Sequence, residues 1–203
     1  GATMVAVDRY GNPLGNAITW LDQRANIETN YLRETLSDEY VYQTTGWRLS
    51  PTMDAAKILH LINSSIYPEA HQFITTLEYI NMKLVGQMVI DPTNAGIRQL
   101  FNIHSGEWDE KILTVIGCEE DKLPSVLPTG EYLGTLTNVA ASELGLHTQV
   151  KVYNGAHDQY CASIGSGAVH AGDMLLSTGT TWAVLGISKK PMITNSYLAA
   201  CPH

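Results

Sequence analysis

Asp158 is the residue of this sequence that best fits a catalytic role. It lies in residues 155–159 (GAHDQ), after an apolar strand-like run and a glycine that permits a sharp turn, and it opens a predicted helix. Open α/β sheets collect their functional groups at the carboxyl ends of strands, where a carboxylate can serve as a general base. Because Asp is also a favoured helix N-cap, capping explains the same residue, and both interpretations stay open.

A second candidate is the run TGTT at residues 178–181, between two apolar segments that predict a hairpin. A glycine at a hairpin tip lets backbone N–H groups approach phosphate oxygens, and the neighbouring hydroxyls add donors. Turns rich in Gly and Thr are also common structural features that bind nothing. The chain has no Gly-Lys dipeptide and no GxGxxG spacing, so a standard P-loop and a dinucleotide fingerprint are both missing.

A third candidate combines Trp20, Asp22 and Arg24. A carboxylate and a guanidinium two residues apart can hydrogen-bond a polyol, while the indole stacks on its carbon face. A surface ion pair and a packed tryptophan would account for the same residues. Asp91, in the run DPTN at residues 91–94, predicts a turn, since Asp and Asn side chains both bond to nearby backbone.

The composition limits the partners that this chain can have. Its 203 residues are 44% hydrophobic and 16% charged, and 12 basic against 20 acidic side chains give a net charge of −8. Without a basic cluster to neutralise a phosphate backbone, nucleic acid is not an expected partner. The longest uncharged stretch, between Asp173 and Lys189, is too short and polar to cross a bilayer, and the first residues lack a signal-peptide pattern. We therefore expect a cytoplasmic protein with no membrane partner.

Cysteine and histidine spacing predicts no metal site. The three cysteines lie far apart, and the seven histidines form no HExxH motif and no ligand-spaced pair with a carboxylate. Reduced thiols and structural or solvated imidazoles are the expected state. His157, beside Asp158, is the one histidine with a case for a site role.

Periodicity predicts the elements that must position these residues. Apolar residues at helical spacing predict helices over 27–36 and 53–62, a third that is capped by Ser105 and ends at Gly117, and a fourth from Thr137 to Gly145. Apolar runs predict strands at 4–8, 17–21 and 150–153 and a hairpin of 174–177 with 182–187. A small-residue helix is predicted over 159–167. The residue pattern changes near Gln149 to strand-like and then small residues, which predicts two domains, 1–149 and 150–203.

In this order the motifs resemble those of the FGGY carbohydrate kinases over essentially the whole chain. Residues 17–25 (AITWLDQRA) look like the W-x-D-x-R-A pattern of the family's pentulose kinases, and residues 91–103 (DPTNAGIRQLFNI) are similar to the family's T-D-x-T-N-A-S-R stretch. Residues 155–159 resemble G-G-x-D-N/Q. Residues 172–181 resemble the second phosphate loop, G-x-x-x-x-S-x-G-T-S.

The resemblance implies an α/β fold of the actin-like, ribonuclease-H-like type. Residues 1–149 would be the C-terminal part of the sugar-binding domain, and residues 150–203 the start of the nucleotide-binding domain. It also implies transfer of the γ-phosphoryl group of ATP, with Mg²⁺, to a hydroxyl of a small sugar, a pentulose such as D-xylulose. The implied site residues are Asp158 as general base, Trp20, Asp22 and Gln159 on the sugar, and Gly179, Thr180 and Thr181 on the nucleotide phosphates.

Other interpretations stay open beside this one. The family's first phosphate loop and its adenosine motif do not occur in these 203 residues, so the chain resembles an internal fragment that alone is inactive or only binds sugar. A glycerol or gluconate kinase would carry the same motifs, and Gln159 is typical of glycerol kinases. A glycosidase with Asp22 and Asp158 as its carboxylate pair would leave residues 178–181 unexplained. A homodimer stays open as the oligomeric state.

Overall fold

The computed structural model describes residues 3–64, 67–179, 182–194 and 198–202. Short helices and strands are mixed along the chain, with 3₁₀ turns at Tyr67–Glu69 and Glu120–Lys122. In chain order the elements are β1 (Met4–Val7), α1 (Asn26–Leu36), α2 (Asp38–Thr45), α3 (Asp54–Ile62), β2 (Gln72–Thr75), α4 (Thr76–Val85), β3 (Val89–Ile90), α5 (Pro92–Gly96), β4 (Phe101–Asn102), β5 (Glu107–Trp108), α6 (Glu110–Ile116), β6 (Ser125–Val126), β7 (Tyr132–Thr135), α7 (Asn138–Leu144), β8 (Lys151–Tyr153), α8 (Asp158–Gly165), β9 (Met174–Ser177) and β10 (Ala183–Gly186).

In the described ranges the strands pair two by two. The pairs β1–β2, β4–β5, β7–β8 and β9–β10 are antiparallel, and β3–β6 is parallel. The β7–β8 register shifts between Tyr132 and Gly134, where Gly134 adopts a φ of +131° that suits glycine. Because β7 precedes Gln149 and β8 follows it, the predicted domain boundary falls between two strands of one ladder.

Side-chain caps explain where several helices begin and end. The hydroxyl of Thr75 and the carboxylate of Glu78 form a capping box at the start of α4. Thr137 caps α7 by accepting a hydrogen bond from the Ala140 N–H group. Gly145 then ends α7 with a φ of +64°, a left-handed conformation that costs a glycine little.

Most of the predicted elements are confirmed close to their predicted bounds, namely α1, α3, α7, α8, β1, β8 and the hairpin β9–β10. The predicted strand over 17–21 is wrong: Ile18 makes an isolated bridge to Met4, and the chain then turns. The predicted cap at Ser105 is wrong as well. Residues 107–108 form β5, and the carboxylate of Asp109 caps α6 by accepting from the Ile112 N–H group at 2.9 Å.

The core lies between the β1–β2 ladder and the helices α1, α3 and α6. Leu32, Ile58, Phe73 and Ile112 are fully buried there in one apolar cluster. Each such side chain contributes about 1.5–3 kcal/mol through its removal from water. The hairpin β9–β10 lies outside that core, and Met174 on β9 is 69% exposed.

No helix in the described part of the chain has the length and apolar character needed to cross a membrane.

A cluster of charged side chains is buried beside this core. Arg98 is 1% exposed, and its Nε donates to Oδ2 of Asp54 at 2.5 Å, while its Nη2 donates to the carbonyl oxygen of Phe73 at 2.9 Å. Oε1 of Glu78 lies 3.7 Å from Nη1 of the same guanidinium. Burial raises the pKa of Glu78, and the Arg98 charge opposes that rise. The guanidinium therefore joins α3, α4 and β2.

We predict that Arg98→Met strongly destabilises the protein that carries this chain. The substitution leaves the Asp54 and Glu78 carboxylates buried without their cation, which typically costs about 3–5 kcal/mol. The free energy of unfolding from urea titration measures the effect. The matched control is Arg33→Met, which removes an ion pair with Asp38 at the surface and should cost at most about 1 kcal/mol. Equal losses in the two variants would contradict the prediction.

Candidate functional site

Asp158 is the first residue of α8, and its side chain is 82% exposed. The N-cap of the helix is His157, so the interpretation of Asp158 as that cap is wrong. The Asp158 Oδ1 accepts a hydrogen bond from the N–H group of Gln159 at 2.8 Å. A carboxylate in the first turn is favoured by the helix dipole, and this one stays accessible to a ligand.

His157 ties the start of α8 to a distant part of the chain. Its backbone N–H donates to Oγ1 of Thr93 at 2.7 Å, and its Nδ1 lies 3.1 Å from Oδ1 of Asp158. Burial lowers the pKa of His157, and the charges of Asp158 and Asp91 oppose that shift. The imidazole is therefore held neutral more readily than a solvated one.

Asp91 is a buried helix cap rather than an isolated turn residue. Its side chain is fully buried, and Oδ1 accepts hydrogen bonds from the N–H groups of Thr93 at 2.9 Å and Asn94 at 3.2 Å. Oδ2 accepts from the Asn94 side-chain amide at 2.6 Å. Pro92 occupies the first turn of α5, where its missing N–H group costs nothing. The Asp-Pro pair was the signal in the sequence that could have predicted this helix start.

Trp20 and Asp22 lie together in the loop that precedes α1. The Arg24 guanidinium donates to both carboxylate oxygens of Asp22 at 2.7–3.0 Å. These bonds hold the pKa of Asp22 at about 2. The surface ion pair that offered an alternative explanation of Asp22 and Arg24 is thus present. Trp20 is 58% exposed, so the explanation by a packed tryptophan is wrong and its ring faces solvent.

Lys57 binds the loop that carries Trp20 and Asp22. It was not identified as a site residue from the sequence. Its side chain is fully buried on α3, and its Nζ donates to the carbonyl oxygen of Thr19 at 3.0 Å. Burial lowers the pKa of Lys57, and the charges of Asp54 and Asp22 oppose the shift. A lysine inside an otherwise apolar helical stretch was the available signal.

Gln159 follows Asp158 in the first turn of α8 and is half-buried. Its side-chain Oε1 is buried and accepts no hydrogen bond from the residues that the structure describes. An amide oxygen in that state has its acceptor capacity unused.

Gly179 lies beyond the end of β9, at the exposed turn of the β9–β10 hairpin. Thr180 and Thr181 lie outside the described residues. At the base of the hairpin the N–H group of Ile187 donates to the carbonyl oxygen of Asp173 at 3.0 Å. Oδ2 of Asp173 accepts from the N–H groups of Val169 at 3.0 Å and His170 at 2.8 Å in the loop that precedes β9.

Hydrogen bonds that pass through α5 connect the loop at Trp20 and Asp22 with the start of α8. The loop at Trp20 and Asp22 is held by Lys57 on α3, and the N–H group of Ala55 on α3 donates to the carbonyl oxygen of Arg98, just after α5. The start of α5 in turn binds His157 through Thr93. The third region, the hairpin that carries Gly179, follows α8 along the chain. Its strand-pairing hydrogen bonds, among the described residues, run between β9 and β10.

Among the described residues, His, Cys, Asp and Glu side chains form no group of three or more that could hold a metal ion.

Comparison with known protein families shows to which family the chain belongs. Residues 1–165 match the family model described as the N-terminal domain of the FGGY family of carbohydrate kinases. The chain belongs to the FGGY family. This match covers the loop at Asp22, the Asp91 cap and Asp158 in one segment.

Several relatives agree with that family and with the fold. The FGGY chain is 29% identical to a gluconokinase of Bacillus licheniformis over 191 residues, which are 93% of this chain and 37% of that protein. It is 26% identical to a xylulose kinase of Staphylococcus xylosus over 186 residues, 91% of this chain and 38% of that protein. A solved structure of a gluconate kinase from Lactobacillus acidophilus matches with a TM-score of 0.90 at 25% identity, over 97% of this chain and 40% of that one.

These matches confirm the predicted actin-like, ribonuclease-H-like α/β fold of the sugar kinases. The FGGY chain spans well under half the length of each relative.

Proposed function

We propose that the protein carrying this chain transfers the γ-phosphoryl group of ATP to a hydroxyl of a small sugar, with Asp158 as the general base. The observation that carries the proposal is the exposed Asp158 carboxylate at the first position of α8, anchored through His157 to the buried Thr93 hydroxyl. The family of the chain supports a sugar kinase. A kinase needs such an acceptor for the proton of the attacking hydroxyl.

The surrounding residues fit a bound polyol. Asp158 takes the proton of the reacting hydroxyl, and Gln159, whose Oε1 has no donor among the described residues, holds the neighbouring hydroxyl. Asp22 stays ionised because Arg24 pairs with it, so it offers acceptors throughout the physiological pH range. The exposed Trp20 ring supplies an apolar surface for the carbon face of the sugar.

The hairpin turn fits the phosphates of ATP. Gly179 is exposed at that turn, and a residue without a β-carbon lets N–H groups reach phosphate oxygens. Thr180 and Thr181 add hydroxyl donors in this proposal. Since the described residues form no metal-binding group, the phosphates and water would supply most ligands of a Mg²⁺ ion, which stabilises charge on the transferred group.

The proposal also assigns the two parts of the chain to two domains of the kinase. Residues 1–149 carry the sugar contacts at Trp20 and Asp22, and residues 150–203 carry the base and begin the nucleotide-binding domain. The β7–β8 ladder then joins the two parts. Because ATP is the phosphoryl donor, we place the protein in the cytoplasm.

The proposed substrate is a pentulose such as D-xylulose, and gluconate is the second candidate. The loop at Trp20 and Asp22 and the xylulose kinase relative support a pentulose. The gluconokinase relative, at 29% identity over 93% of the chain, supports gluconate.

We predict that Asp158→Asn abolishes sugar phosphorylation and leaves sugar affinity within a few-fold of the wild type. The amide keeps the shape of the carboxylate but cannot take a proton, and loss of a general base costs about 10²–10⁴ in rate. A coupled assay gives kcat, and isothermal titration gives the sugar Kd. The control is Glu34→Gln on the exposed surface of α1, which should leave both values unchanged. Turnover near the wild-type rate in Asp158→Asn would remove Asp158 as the base.

We predict that Gly179→Val raises KM for ATP at least about tenfold and leaves KM for sugar nearly unchanged, because blocked access removes hydrogen bonds to charged phosphate oxygens. Steady-state kinetics with each substrate varied in turn measures both constants. Gly186→Val on β10 is the matched control, since a β-carbon there meets no atom within 4 Å. An unchanged KM for ATP in Gly179→Val would make the loop an ordinary turn.

We predict that a pentulose gives the highest kcat/KM in a panel of D-xylulose, L-xylulose, D-ribulose, gluconate and glycerol. A site that hydrogen-bonds several hydroxyls rejects a substrate that leaves its polar groups unpaired, by about 10⁴–10⁵ in favourable cases. Preference for gluconate or glycerol over every pentulose would show that the interpretation of the Trp20 and Asp22 loop is wrong.

A further inference from the structure

The neighbour of Asp158 is anchored by a side chain 64 residues away. The His157 N–H group donates to Oγ1 of Thr93 at 2.7 Å, a short bond for a neutral pair. Thr93 is 4% exposed, so the acceptor side of this bond is shielded from water. An N–H group at this position would lose its partner if the hydroxyl were removed.

The Thr93 hydroxyl has its orientation set by Asp91. It donates its proton to Oδ1 of Asp91, so its lone pairs are left to accept from His157. Asp91 is itself immobile, because backbone N–H groups of α5 bond to Oδ1 and the Asn94 amide bonds to Oδ2. A carboxylate that accepts the hydroxyl proton polarises the hydroxyl and strengthens it as an acceptor.

The position of His157 determines the position of Asp158. The two residues are adjacent, His157 is the N-cap of α8, and its Nδ1 lies 3.1 Å from Oδ1 of Asp158. A shift of the His157 backbone therefore moves the first turn of α8 and the carboxylate with it.

We infer that Thr93 is a positioning residue for the reaction, which holds the Asp158 carboxylate in place through its hydrogen bond to His157. This inference rests on the proposed role of Asp158 as general base. Thr93 is buried and its hydroxyl is occupied by Asp91 and His157, so we expect its removal to affect the alignment of the base and not substrate binding. Misplacement of a reacting group by about 1 Å can cost about 100-fold in rate.

The test compares Thr93→Val with Thr93→Ser in the protein that carries this chain. Valine keeps the shape of threonine without the hydroxyl, and serine keeps the hydroxyl without the methyl group. We expect Thr93→Val to lower kcat by about tenfold or more, while KM for sugar and for ATP stay within about threefold. Thr93→Ser should restore kcat to within about threefold of the wild type.

A control separates positioning from stability. Thr137→Val removes a comparable hydroxyl cap at the start of α7 and should lower Tm without lowering kcat. If Thr93→Val does not fold, Thr93→Ala, which also removes bulk, takes its place, and sugar binding by titration verifies its fold.

Two results would overturn the inference. One is a wild-type kcat in a folded Thr93→Val variant. The other is a parallel change in kcat and both KM values that Thr93→Ser does not rescue. Asp158→Asn distinguishes failure of the proposed base from failure of the positioning role. If Asp158→Asn is active, the role of Asp158 as base is wrong. If it is inactive while Thr93→Val has the wild-type kcat, only the positioning role of Thr93 is wrong.

Discussion

The arrangement of this chain depends on a buried guanidinium group. The Arg98 guanidinium, 1% exposed, binds a carboxylate on α3 and a carbonyl oxygen on β2, and it lies near a second carboxylate on α4. None of these charged groups is stable in an apolar interior without the others. Their mutual dependence therefore fixes the relative placement of three elements that come from separate parts of the sequence.

The candidate site extends from this cluster in two directions. On one side, α3 carries Lys57, which holds the loop of Trp20 and Asp22 through the carbonyl oxygen of Thr19. On the other side, the segment just before Arg98 is α5, whose Thr93 hydroxyl accepts a hydrogen bond from His157. The two halves of the site thus share a rigid support, which is how a fold holds catalytic groups on loops and helix ends to within a fraction of an ångström.

Local signals in the sequence predicted part of the helices and strands and the candidate site residues. The helical spacing of α1 and α3, the end of α7 at Gly145 and the hairpin around Gly179 depend on short-range preferences that a single sequence displays. Asp158 and Asp22 were predicted as site residues because each lies in a contiguous motif. The strand expected at 17–21 failed because its apolar residues lead into a turn and only Ile18 pairs.

The supporting interactions could not be predicted in the same way. Arg98 and Asp54 are 44 positions apart, and charged residues are normally solvated, so nothing local indicates that both are buried. The position of Lys57 in an apolar stretch indicates that it is buried, but its partner, the carbonyl oxygen of Thr19, lies in a loop 38 positions away that nothing local indicates. The acceptor role of Thr93 depends on the direction of one hydroxyl proton, which only the three-dimensional hydrogen-bond network determines.

The 64-residue span between Thr93 and His157 also has a consequence for the order of folding. The helices α5 and α8 have only five and eight residues, so neither is stable alone in water, and the bond that joins them must wait until the intervening chain has been brought together. A partly folded chain would therefore carry Asp158 without the anchor that Thr93 gives to its neighbour His157. The geometry around Asp158 would then be acquired late, with the closure of this long loop, and not with the first local structure.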